Sequence, residues 1–333
     1  MYPLVRRDDR RLASGYAGLV VTCDVDKTYL DTDFKSWRGL LSIPLEWAED
    51  KLTIAGMAPV LRDLRAGPGA ENAQTPFYFL TASPPFLYAA LKRKLLIDAV
   101  QADGATFKDW RTILLSRRRP AWLKRQVAYK LAALLHQRRL LPPGSREILI
   151  GDDVEHDALI YSAYADAAAG RIAPAGLARL VVETGGDEAE AEEVREAAAA
   201  LGPPAEAVQT AYILLVSGAS PDRYRGFGDG LVACASPFQM AVHLFLSGLV
   251  KRRTARDAAF DLVARSAADR KRLHFELEDG AARSLWSGDS LRPLQEWLSQ
   301  EGLTDAPTDY PPADPSRCAE ARAARGGRWL AGK

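Results

Sequence analysis

The chain has 333 residues, 47% of them apolar, which is enough to fill a substantial core in one large α/β domain or two small ones. Its 44 basic and 43 acidic side chains nearly cancel, which excludes a whole-molecule field drawing it to nucleic acid; any attraction to an anion must be local. Three cysteines, Cys23, Cys234 and Cys318, have neither zinc nor disulfide spacing and fit a reducing compartment.

The amino terminus, MYPLVRRDDRR, lacks the apolar core of an export signal, so the expectation is a cytoplasmic protein. The β-branched run LVVTC, reached at Cys23, stops abruptly at Asp24-Val25-Asp26-Lys27-Thr28, as a buried parallel strand ending at a polar rim would. Residues 31–56 suffice for a flap or small lid, in which Trp37, Trp47, Leu40 and Leu41 either pack on the core or touch acyl chains. Helical patterns follow over 57–65, 84–96 and 120–138, two of them opened by a proline suited to a first turn. Between them FYFL (77–80) runs into Thr81, and ILI (148–150) runs into Gly151-Asp152-Asp153. YILLV (212–216) is a fourth strand and GLVA (230–233) a weaker fifth. The apolar stretch 235–250 is too short for a membrane span and reads as a strand end and a core helix.

Strand and helix alternate, which predicts a doubly wound parallel sheet. The expected layout is a catalytic domain over 15–265, interrupted by an Ala/Glu-rich helical insertion at about 170–209. A C-terminal extension over 266–333 is partly helical near 291–298 and loosely ordered after that.

The polar strand ends carry the chemistry. Asp24 and Asp26, two residues apart, suit phosphoryl transfer: one attacks phosphorus and the other handles the leaving-group proton. A solvated pair of turn aspartates would look the same. Thr81 sits at a strand end where its hydroxyl would meet a phosphate, while Ser83 competes between that role and plain helix capping. The run Gly151 to Asp157 supplies oxygen ligands for a hard cation such as Mg²⁺, although Asp157 equally suits capping the next helix. His156 reads as structural or solvent-facing. For a lysine aimed at the site, spacing leaves Lys130 and Lys124 open. Lys92, Arg93 and Lys94, with Arg117, Arg118, Arg119 and Arg125, form either a basic rim for an anionic headgroup or solvated helix faces.

Taken in order, DVDKT, FLTASP, a helical lysine and GDDVEHD resemble the four motifs of the haloacid dehalogenase superfamily. Within it, residues 19–161 resemble the catalytic domain of the actin-patch-associated phosphatidate phosphatases. The shared features are the DxDxT start, Gly56-Met57, Ser83-Pro84 followed by Leu87-Tyr88, and GDD followed by Asp157 and Tyr161.

The resemblance implies a Rossmann-like fold and a Mg²⁺-dependent phosphatase with Asp24 as nucleophile and Asp26 as general acid and base. It further implies Thr81, Ser83 and Lys130 on the phosphate, and metal ligands drawn from Asp24, Asp26, Asp152, Asp153 and Asp157. Substrates expected on that basis are phosphatidate or another phosphomonoester, with peripheral contact to an anionic membrane. Lys27 departs from the acidic residue usual in these phosphatases, and Thr81 stands where many relatives have serine. A non-catalytic phosphoacceptor or scaffold is the rival from another class; receiver domains, however, place their acidic pair before the acceptor aspartate, a different order.

Overall fold

The structure is a computed structural model and describes residues 4–8, 11–31, 52–69, 74–108, 126–228, 230–308 and 310. Trp37, Leu40, Leu41, Trp47, Arg117, Arg118, Arg119, Lys124, Arg125 and Cys318, singled out from the sequence, lie outside the described residues.

A seven-stranded sheet is built from β1 (Leu4–Asp8), β2 (Leu19–Asp24), β3 (Phe77–Thr81), β4 (Gly104–Lys108), β5 (Arg146–Asp152), β6 (Val208–Leu214) and β7 (Leu231–Cys234). Their order is β1-β4-β3-β2-β5-β6-β7. Every pairing is parallel except β1 with β4. The mixed α/β architecture expected from the alternating pattern is therefore present.

Helices cover both faces because the central strands are apolar on both sides. Ile148 and Ile150 point into one core and Leu149 into the other, following the two-residue alternation of a strand. The first core is closed by α1 (Met57–Ala66), α2 (Tyr88–Ile97) and residues from beyond β7. The second is closed by α3 (Gln126–Leu140), α4 (Asp157–Ala168), α5 (Pro174–Glu183) and α6 (Glu188–Ala199). α3 buries ten of its fifteen residues, so it is a core helix and not an amphipathic surface one.

Several expected boundaries move. The helix expected at 84–96 is a 3₁₀ turn over Pro85–Leu87 followed by α2, because consecutive prolines at 84 and 85 remove two N–H donors. The Ala/Glu-rich stretch is a helical hairpin, with Val194 and Ala197 of α6 fully buried or nearly so in the second core. Beyond β7 come α7 (Pro237–Leu246), α8 (Arg252–Arg265), α9 (Arg270–Ala282) and α10 (Gly288–Gln300). Leu273 and Leu277 of α9 and Leu291, Leu294 and Leu298 of α10 lie in the first core together with β2 and β3. The chain therefore runs across position 266 within one core. Among the described residues no helix is long and apolar enough to cross a membrane.

The chain leaves β2 toward β3 and β4 on one side, then returns to β5 on the other. The carboxyl end of β2 is therefore a topological switch point, where sheets of this kind open a ligand crevice.

Candidate active site

Three neighbouring strands end at that crevice, and each ends in a group that chemistry can use. β2 ends in Asp24, β3 in Thr81 and β5 in Asp152. All three side chains are buried. Beyond β2 the backbone folds into a tight turn in which the Tyr29 and Leu30 N–H groups donate to the Val25 carbonyl. Asp26 lies in this turn, paired with Leu30. Lys27 takes the left-handed conformation with φ 60° and pairs with Asp31 at 2.8 Å. Leu30 and Thr53 meet in a short antiparallel bridge; residues 32–51, where a flap is expected, lie outside the described residues.

The two DxD carboxylates have different surroundings. Asp26 Oδ2 accepts hydrogen bonds from Thr81 Oγ1 at 3.0 Å and from Ser83 Oγ at 2.8 Å. Asp24 Oδ1 lies 3.0 Å from Lys130 Nζ yet accepts no hydrogen bond. Thr28, the threonine of DVDKT, donates to Asp152 at 3.1 Å and lies 3.4 Å from Asp24 Oδ2, tying the ends of β2 and β5 together.

Ser83 is not a helix cap here. Its hydroxyl goes to Asp26, and its N–H donates to Thr81 Oγ1 at 3.0 Å. Tyr129 OH donates to the Thr81 carbonyl at 2.6 Å, holding the end of β3 against α3.

Lys130, wholly buried on α3, reaches Asp157 at 2.5 Å, Asp24 at 3.0 Å and Glu155 at 3.1 Å. Three carboxylates, those of Asp24, Glu155 and Asp157, thus converge on a single cation, and Asp152 lies beside them without reaching it. The consequences follow from burial and like charge. Burial pushes the Asp24 carboxyl up; Lys130 opposes that shift, and Asp157, Glu155 and Asp152 add to it. Asp152 is pushed up to about 8, first by burial and then by Asp157. Glu155 is raised for the same reason. Lys130 is held above its usual range because Asp157, Asp24 and Glu155 outweigh its own burial.

Such a crowd of buried carboxyls is relieved either by protonation or by a further cation. One oxygen each of Asp24, Asp152 and Glu155 falls within 4.8 Å of the others, the spacing of a cation cage. The oxygen-only donor set and the Asp24 oxygen lacking a hydrogen bond fit a hard divalent ion such as Mg²⁺.

The remaining candidates divide. Asp157 begins α4, and its carboxylate turns back to accept from the Asp152 N–H at 3.2 Å and to meet Lys130. Gly151 makes room for this, since a Cβ there would come within 2.7 Å of Asp157 Cβ. Asp153 turns away from the cluster and accepts from the Ser217 N–H at 2.9 Å. His156 is exposed and left-handed, with φ 65°.

Glu155 and Thr28 enter the site without having been singled out from the sequence. Both stand inside the quoted motifs, Glu155 in GDDVEHD and Thr28 in DVDKT, so their signal was proximity alone. Glu155 reaches Lys130 because Asp152 Oδ1 accepts from the Val154 N–H at 2.6 Å and the Glu155 N–H at 3.1 Å, curling the turn inward.

Residues 19–176, a little under half of the chain, match the family described as phosphatidate phosphatase APP1, catalytic domain. No curated protein and no solved structure matches the chain.

Proposed function

We propose that the chain, whose residues 19–176 match the catalytic-domain family of phosphatidate phosphatase APP1, is a Mg²⁺-dependent phosphatase. In this reading it hydrolyses a phosphate monoester through an aspartyl phosphate on Asp24, with phosphatidate as the leading substrate. The observation that carries the reading is the convergence of Asp24, Asp152 and Glu155 with Lys130 at adjoining strand ends.

Asp24 attacks phosphorus in line, and the bond from phosphorus to the departing alcohol oxygen breaks as Asp26 gives that oxygen its proton. Water then attacks the aspartyl phosphate while Asp26 takes a proton from it, releasing inorganic phosphate and restoring Asp24. Thr81 and Ser83 fix the orientation of Asp26 in the free protein and supply hydroxyls to the phosphoryl oxygens when substrate is bound. Lys130 offsets the charge that would otherwise repel nucleophile and phosphate. Thr28 and Asp157 hold Asp152 and Lys130 in place. Mg²⁺, when bound by Asp24, Asp152 and Glu155, supplies charge stabilisation at the phosphoryl oxygens.

The test is phosphate release from phosphatidate vesicles, soluble monoesters and a phosphopeptide, with and without Mg²⁺. Release should need Mg²⁺ and fall by at least about 10⁴-fold in Asp24→Asn. Release that survives intact in that variant would refute the assignment. A lasting phosphoprotein with no turnover would favour the phosphoacceptor alternative.

A further inference from the structure

The segment from Pro85 to Ile97 has an outer face that the reaction does not use. Its inner side chains Leu87, Ala90, Leu91 and Lys94 line the cleft that opens on Asp26, Thr81 and Ser83. On the outside, Phe86, Leu96 and Ile97 are 63%, 79% and 56% exposed. Phe86, Ala89, Arg93 and Leu96 follow one another at intervals of three and four, so an exposed stripe runs along the turn and α2. Leu52, also exposed, is the chain neighbour of Thr53, whose hydroxyl donates to Asp98 at the end of the same helix. Large apolar side chains left in water on one short element mark a contact surface.

The charges on this element say what it contacts. No aspartate or glutamate occurs between Thr81 and Ile97, whereas Lys92, Arg93 and Lys94 are consecutive. Lys94 is matched by Asp98 at 2.9 Å. Lys92 and Arg93 are exposed, and Lys92 is engaged as well, its ammonium lying 5.0 Å from the centre of the Tyr88 ring. Projecting apolar side chains flanked by basic groups suit a sheet of anionic headgroups over acyl chains: the apolar tips enter the hydrocarbon edge while the cations stay among the phosphates.

We propose that the outer Pro85–Ile97 face docks on an anionic phospholipid surface, holding the protein on the bilayer that carries the substrate. The link to substrate rests on the phosphatase reading; the docking itself is measurable without turnover.

The experiment is co-sedimentation of the full chain with vesicles of phosphatidylcholine alone and with added phosphatidylserine, beside hydrolysis of a soluble phosphomonoester. Wild type should sediment with the anionic vesicles, and less so as salt is raised. Leu96→Glu combined with Ile97→Glu should lower the bound fraction about tenfold and leave soluble monoester hydrolysis unchanged. Leu140→Glu, at a comparably exposed leucine on α3, should change neither. Wild type remaining in the supernatant with both vesicles, as expected if the face binds an acidic protein instead, would overturn the proposal. So would a double variant that sediments like wild type. If vesicle binding responds to the substitutions as expected but no monoester is hydrolysed, docking stands and the phosphatase reading falls.

Discussion

The two ends of β5 bury charge in opposite ways. At its start, Glu147 is fully buried, and both its oxygens accept from Tyr164 OH, at 2.8 and 2.9 Å, while Arg138 reaches one of them at 3.2 Å. One acid meets one cation, and every oxygen has a partner. At its finish, Asp152 lies beside Asp24, Glu155 and Asp157, which share one lysine, and an Asp24 oxygen accepts nothing. Burial raises the carboxyl pKa at both ends. Only at the second do neighbouring carboxylates add to it. A balanced buried pair maintains a fold, whereas an overloaded cluster must be relieved by protonation or by a ligand that supplies positive charge.

Substitutions should separate the two ends. The largest effect is expected on catalysis: Asp26→Asn should lower turnover by about 10² to 10⁴-fold with the melting temperature little changed, measured by steady-state phosphate release and calorimetry. Next, Arg138→Met leaves Glu147 buried and uncompensated and should cost about 3 kcal/mol in denaturant unfolding. Glu155→Gln, which removes one of four crowded acids, should be neutral or stabilising in the same metal-free assay. Equal losses from both would erase the distinction. Adding Mg²⁺ at 100-fold its dissociation constant should stabilise wild type by about 2.7 kcal/mol, and chelation should reverse this. Glu155→Gln and Asp152→Asn should blunt the shift, while Arg138→Met should keep it.

The smallest effect concerns a partly buried histidine beside a like charge, that of Arg283. His243 on α7 is pushed down to about 4, mainly by burial, and its Nδ1 lies 2.9 Å from Tyr212 OH. Because the folded state disfavours the protonated ring, stability is full above the ordinary histidine range and falls as pH drops toward the folded value. The loss should reach about 1 kcal/mol near ~pH 5.5 and vanish in His243→Gln.

Much of the site is legible in the sequence because it sits where apolar runs stop at polar residues. That grammar places Asp24, Thr81 and Asp152 at strand ends before any contact is known. Lys130 is less legible: it lies on a helix buried nearly all round, so periodicity gives no face, and only packing against β2 and β5 distinguishes it. Glu155 is legible only as a member of the acidic run, because its own position depends on a turn closed by backbone hydrogen bonds. Two strands left no clear pattern. LVRRD of β1 is a charged edge strand, and GATFK of β4 is too short for an apolar run. Helices α9 and α10 carry leucines at helical spacing, but the surrounding charges and Pro293 make them resemble a peripheral tail, although those leucines are in the core.

In the proposed chemistry Asp24 is the residue that takes the phosphoryl group. The most direct test is acid quenching of the protein during turnover of a phosphomonoester with Mg²⁺, followed by mass spectrometry of the peptide containing Val20 to Thr28. The account predicts a hydroxylamine-sensitive phosphoryl adduct on Asp24 that is absent from Asp24→Asn. Steady turnover with the adduct on another residue, or with Asp24 replaced, would contradict it.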